Sequence, residues 1–232
     1  SEALVTALAG QQPALVVTTS HGMTGPLDDL ETMRQQLGAL VDQDHAVLDV
    51  QALVQAWEPR GAIWFAQACC SVGADRPSTY DGLFAADTDV GRVLSAVAEL
   101  GAMTSPLPRA LLGAPHPLRA FIGQVEPTFN WTMAFPPNQQ RLTADIELAL
   151  YDGLCGGAPA GLAMSRYYQP VGTLLQQHDN AVKRYNVTAG AEAQSSLDTA
   201  LYTKVTAYDR ASTVILGDPV VAMRLPADDV RG

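Results

Sequence analysis

Residues 62–69 read Ala62-Ile63-Trp64-Phe65-Ala66-Gln67-Ala68-Cys69 and follow the breaker Pro59-Arg60-Gly61. An apolar run this short, aromatic and β-branched at its centre, predicts a strand buried on both faces, as in a parallel sheet. A second stretch of the same kind, Ala14-Leu-Val-Val-Thr-Thr-Ser20, follows Pro13 and ends at His21-Gly22. Between the two, a Gly25/Pro26 turn precedes Leu30, Met33, Leu37, Leu40 and Val41 at three- and four-residue spacing, which predicts a helix. A further helix is expected from Asp49, a good N-cap residue, to Trp57.

Downstream of Cys69, residues 70–88 are polar and glycine-containing and read as a long loop. A helix is predicted near Asp89–Leu100, a short one around Pro108–Leu112, and a third strand over 119–125. Residues 126–140 form an aromatic, proline-rich loop with Phe129, Trp131, Phe135, Pro136 and Pro137. The chain then turns mainly helical, over 142–155, from Pro159 to about His178, and over 183–207. It closes with Thr213-Val-Ile-Leu216, a Gly-Asp-Pro turn at 217–219, and Val220 to Arg224. Alternating strand and helix predicts an α/β fold with a largely parallel sheet flanked by helices, and residues 1–232 read as one domain.

Composition narrows the function. With 47% hydrophobic and 16% charged residues over 232 positions, the chain is globular rather than disordered. A net charge of −10 argues against direct nucleic-acid binding, which runs on Lys and Arg neutralising phosphates. No apolar run approaches the roughly 20 residues that span a bilayer, so no membrane role is expected. Three cysteines, two of them adjacent, do not make a disulfide framework and point to a reducing, cytoplasmic compartment. The chain opens at Ser1 and is helical in pattern within a few residues, which reads as part of a larger or processed protein.

The chemistry concentrates where the two buried strands end. In open parallel sheets reactive groups gather at the carboxyl ends of strands, and here those ends carry His21 and Cys69. A thiolate supported by an imidazole is a nucleophile near neutral pH, and the same imidazole can protonate a leaving amine. Gly22 permits close backbone approach, and its amide with that of Cys69 would donate to a developing oxyanion. Cys70 is the rival thiol, but strand alternation turns it away from the crevice if Cys69 faces it. Cys155 reads as core packing. His45 lies among acids, His116 in a loop, and His178 near a helix C-terminus. Asp218 is expected to cap a tight turn fixed by Pro219. No Cys-x-x-Cys pair or clustered histidine spacing suggests a metal, and no nucleotide or serine-hydrolase motif suggests a cofactor.

Gln67-Ala68-Cys69 resembles the opening of the caspase signature, Gln-Ala-Cys followed by Arg, Gln or Gly and then Gly, with a histidine about 50 residues upstream. His21 precedes Cys69 by 48 positions. Cys70-Ser71 departs from that signature, and the rest of the chain looks more like the bacterial gingipain and CHAT branch of the same clan. The pieces similar to that branch are Ala-Phe-Ile-Gly-Gln-Val-Glu at 120–126, Glu147-Leu-Ala-Leu-Tyr-Asp-Gly-Leu, Gly157-Ala-Pro-Ala-Gly-Leu-Ala, and Val214-Ile-Leu-Gly-Asp-Pro-Val-Val-Ala-Met-Arg-Leu-Pro, the last resembling a closing strand pair. The resemblance implies a caspase-like three-layer sandwich and a His21/Cys69 dyad without an obligatory third member. It implies a cysteine endopeptidase of bacterial regulation or antiphage defence, acting on a protein substrate through a thioester. A linked or associated sensor or repeat domain would bring the signal and the missing N-terminal part. The alternative is a caspase-like scaffold that binds partners without proteolysis.

Overall fold

A computed structural model describes residues 2–129, 133–135 and 140–223. The sequence expectations at Trp131, Pro136, Pro137 and Arg224 lie outside the described residues. At the centre is a four-stranded sheet of β1 (Leu15–Thr19), β4 (Ile63–Gln67), β7 (Ala120–Gln124) and β10 (Thr213–Gly217), in that spatial order. Outside it β2 (His21–Gly22) pairs with β3 (Leu40–Val41), β5 (Gly73–Ala74) with β6 (Met103–Thr104), and β8 (Ala134–Phe135) with β9 (Gln140–Arg141), so the expected loops 70–88 and 126–140 each carry a short strand. β1, β4 and β7 run parallel, and β10 is antiparallel to β7. An α/β architecture with a mostly parallel sheet and helices on both faces is thus what the chain forms.

Every residue of β4 and β7 is buried, as the unbroken apolar runs require of central strands. Alternation sends Trp64, Ala66 and Phe121 to one face, where α1 (Glu2–Gln11), α3 (Val50–Ala56) and α5 (Pro106–Leu112) supply Leu8, Leu53, Leu107 and Leu111. Trp64 anchors that layer. Its ring meets Trp57 edge-on at 5.8 Å, and its indole N–H donates to the Thr18 hydroxyl at 2.9 Å. Ile63, Phe65, Ala120 and Ile122 face the other way, onto the short α6 (Ala144–Glu147), the π-helical turn Leu148–Leu154 and α7 (Ala160–Tyr168).

β1 forms one side of the sheet. Ile63 donates to the Ala14 carbonyl and Ser20 to the Gln67 carbonyl, so even-numbered residues bond to β4. The odd-numbered Leu15, Val17 and Thr19 therefore turn their N–H and C=O groups outward, and the Val17 side chain is 48% exposed. α8 (Pro170–Tyr185) and α9 (Gly190–Ala211) form an antiparallel hairpin beyond α7. Only Ala181 is buried on α8, while the last two turns of α9 bury Val205, Thr206, Ala207, Asp209 and Arg210.

Several local expectations change. The helix after the Gly25/Pro26 turn is α2 (Leu30–Gln36), and it stops well before Val41. Gly38 adopts φ 68° there, with its α-carbon packed on the Cys70 carbonyl, and Leu40–Val41 becomes β3, which pairs with β2 (His21–Gly22). The helical segment from Pro159 breaks at Pro170, which starts a new helix because a proline N1 has no N–H to lose. His178 consequently sits inside α8 rather than at a helix end. Residues 221–223 are not a strand, so β10 stands without the expected partner among the described residues. The Asp49 and Asp218 expectations hold. Asp49 accepts from the Gln51 and Ala52 amides, and Asp218 accepts from Val220 N–H at 2.9 Å.

Candidate active site

Parallel pairing of β1 with β4 in register Thr19↔Gln67 brings both strands to the same end of the sheet, and the chain leaves them at Ser20-His21-Gly22 and Ala68-Cys69-Cys70. The two exits touch. A β-carbon built on Gly22 would overlap the carbonyl oxygen of Cys69 and lie 2.8 Å from its nitrogen. Only a glycine fits between these backbones. Behind them Cys70 N–H donates to the Glu126 carbonyl at 3.1 Å, and the Ser105 hydroxyl donates to the Cys70 carbonyl at 2.6 Å. The turn carrying the thiol is therefore fastened on both sides.

Cys69 and Cys70 diverge. Cys69 is partly exposed, whereas Cys70 is fully buried among Met33, Leu37, Ala74, Val97 and Leu100. β4 ends at Gln67, so strand alternation is not what separates them. Cys70 adopts φ 51°, and this left-handed turn swings its side chain into the cluster made by α2 and α4 (Asp89–Glu99). Cys155, expected in the core, is exposed. The wider π-helical turn before it points Leu150 and Leu154 inward and leaves Cys155 outside.

The Cys69 sulfur lies 2.9 Å from the Thr128 carbonyl oxygen, to which the thiol donates. Burial raises its pKa above the ordinary thiol value. The Thr128 main chain works against that rise, the Asp209 carboxylate adds to it, and the main chain of Gly22 and Cys69 offsets part of it. His21 opens β2 with an exposed side chain, and among the described residues no hydrogen bond joins it to Cys69. The structure thus brings Gly22 and Cys69 into contact and sets His21 beside them in the chain, with the thiol engaged by Thr128.

Comparison with protein-family models, with curated proteins and with solved structures finds no match. The site must be read on its own chemistry.

Around the thiol lies a buried polar layer that the sequence reading did not single out. Glu126 is 1% exposed, and its carboxylate accepts from Thr79 N–H at 2.8 Å and from the Ser78 hydroxyl at 3.1 Å. Burial raises its pKa, and those two hydrogen bonds oppose the rise. Tyr80 donates to the fully buried Asp209 at 3.4 Å, and burial pushes the phenol pKa well up. Gln124 accepts from the hydroxyls of Ser212 and Thr213 at 2.9 and 3.1 Å. A glutamate directly after a buried strand and before a proline was the available sequence signal for Glu126. The loop after Cys69 and α4 enclose a cleft of about 250 Å³ lined by Arg76, Ser78, Tyr80, Asp81, Leu94 and Glu99. Cys69 is not among its walls. No group of three or more His, Cys, Asp or Glu side chains among the described residues is arranged to hold a metal ion, and no described helix is long and apolar enough to cross a membrane.

Proposed function

We propose that the chain is a cysteine endopeptidase of caspase-like type, of the gingipain and CHAT kind, with Cys69 as nucleophile and His21 as its proton carrier. The observation that carries the reading is the close junction of two parallel strand exits, where Gly22 packs directly against the Cys69 main chain. Main-chain amides held beside a thiol are what acyl transfer needs to hold a tetrahedral oxyanion. In the proposed reaction His21 takes the thiol proton, Cys69 attacks the scissile carbonyl, and the two amides hold the oxygen. The proton then passes to the leaving amine, and water hydrolyses the thioester.

The proposal includes a protein substrate and an associated sensor or repeat domain. The outward-facing groups of Leu15, Val17 and Thr19 offer a sheet edge on which further strands would pair. A second reading, a scaffold that binds partners without proteolysis, is favoured by the thiol bonding to Thr128 rather than to His21. A peptide library and an electrophilic peptide probe separate the two. Cleavage and labelling that disappear in Cys69→Ala and persist in Cys70→Ala support the peptidase. Labelling that follows Cys70, or a folded protein whose Cys69 takes no probe under any activating condition, defeats it.

A further inference from the structure

Segment 126–129 leaves β7 and passes directly over the thiol. Three attachments hold it there. Glu126 is locked at its carboxylate by Thr79 and Ser78, and at its carbonyl by Cys70 N–H. Upstream, Val125 N–H donates to the Ser212 carbonyl at 2.9 Å. Downstream, the Phe129 ring packs against the buried cluster of Tyr80, Leu94 and Val205. Between these anchors the Thr128 carbonyl receives the Cys69 thiol.

A sulfur 2.9 Å from a carbonyl oxygen has its proton committed to that oxygen. The neutral thiol is a poor nucleophile, and the side of the sulfur facing Thr128 is closed to an incoming carbonyl. The exposed His21 side chain makes no hydrogen bond to the thiol, whose bond goes to Thr128 instead.

We propose that Glu126–Phe129 is a built-in latch that keeps Cys69 covered in the resting protein, and that withdrawal of Phe129 from the Tyr80 cluster releases it. This rests on the reading of Cys69 as nucleophile. The occluding group belongs to the main chain, and the two anchoring side chains, Glu126 and Phe129, set how firmly the latch is shut.

The test is the alkylation rate of each cysteine by iodoacetamide, read by mass spectrometry of the intact fold, with exposed Cys155 as internal reference. In the parent protein Cys69 reacts at least about tenfold more slowly than Cys155. Phe129→Ala and Glu126→Gln each raise the Cys69-to-Cys155 ratio by about tenfold, the order expected when one hydrogen bond and its packing are lost. Parent Cys69 reacting as fast as Cys155, or both anchor variants leaving the ratio unchanged, overturns the latch. Labelling of buried Cys70 reports unfolding, and if Phe129→Ala unfolds then Glu126→Gln decides. Failure of the peptidase reading looks different: the latch variants free Cys69 for alkylation, yet none cleaves peptide.

Discussion

Gly22→Ala is the sharpest perturbation of the strand junction. The new β-carbon would overlap the Cys69 carbonyl oxygen and stand 2.8 and 2.9 Å from the Cys69 nitrogen and carbonyl carbon. All three are backbone atoms, so no side chain can rotate out of the way and the two strand exits must separate. Forcing one methyl into a packed interior costs about 1–3 kcal/mol, against about 0.4–1 kcal/mol regained because alanine has fewer unfolded conformations. A net loss of about 1–2 kcal/mol lowers the melting temperature by about 2–8 °C in a chain of this length. Gly172→Ala is the matched control: it lies inside α8 with open space around it, and there the same exchange stabilises by about 0.5–1 kcal/mol. Differential scanning calorimetry on the two variants should move in opposite directions. The separated exits also carry the Gly22 amide away from Cys69, and losing one oxyanion donor costs about a hundredfold in kcat on the peptidase reading. A Gly22→Ala protein that melts with or above Gly172→Ala refutes the claimed contact.

Three further outcomes follow from the buried groups. Thiol titration of the native protein should count Cys155 first and Cys70 only after denaturant, because Cys70 is fully buried and its pKa is pushed well up by burial. Burial raises the Glu126 pKa above the ordinary 4.5, so the folded state binds more protons than the unfolded state once pH exceeds that value. Stability attributable to Glu126 then falls as pH rises from about 4.5 through its folded pKa. Melting curves of Glu126→Gln against parent should converge or cross in the variant's favour between pH 4 and 7, and a difference independent of pH contradicts this. Arg210→Ala removes a buried guanidinium that pairs with Asp145 at 2.7 Å, donates to the Tyr167 carbonyl and stacks on the Tyr167 ring. Asp145 is about a third exposed, so the loss belongs near the low end of buried-pair removal, about 2–3 kcal/mol by chemical denaturation.

The strands were legible because their signals are local and strong. Two short apolar runs, each bounded by proline or glycine, suffice to place β1 and β4, and the Asp49 cap needs only the amides that follow it. What the sequence could not show depends on distant partners. Leu40 and Val41 continue the helical spacing of Leu30, Met33 and Leu37, yet Gly38 fits against Cys70 and frees them to pair with His21 and Gly22. The Thr213–Leu216 run has the composition of any buried strand, and composition carries no direction, so its antiparallel entry beside β7 was invisible. The site divides the same way. Cys69 and Gly22 stand out as residues at strand ends, but the group that engages the thiol is a main-chain carbonyl, and every residue has one. Cys155 looked like core because its neighbours are apolar, and the π-helical turn that expels it is set by how Leu150 and Leu154 pack on the sheet.

The bare side of β1 has a consequence for the protein in solution. Among the described residues Leu15, Val17 and Thr19 present three unpaired main-chain rungs, and β1 has no proline, lysine or bulge to discourage another strand, the features by which exposed edges ordinarily resist stacking. What stands against self-association is the net charge of −10. Coulomb repulsion of this kind shortens in range to about 8 Å at physiological ionic strength and about 3 Å in molar salt. The colloidal stability of the chain is therefore set by salt, and light scattering should rise with ionic strength until a complementary strand occupies the edge.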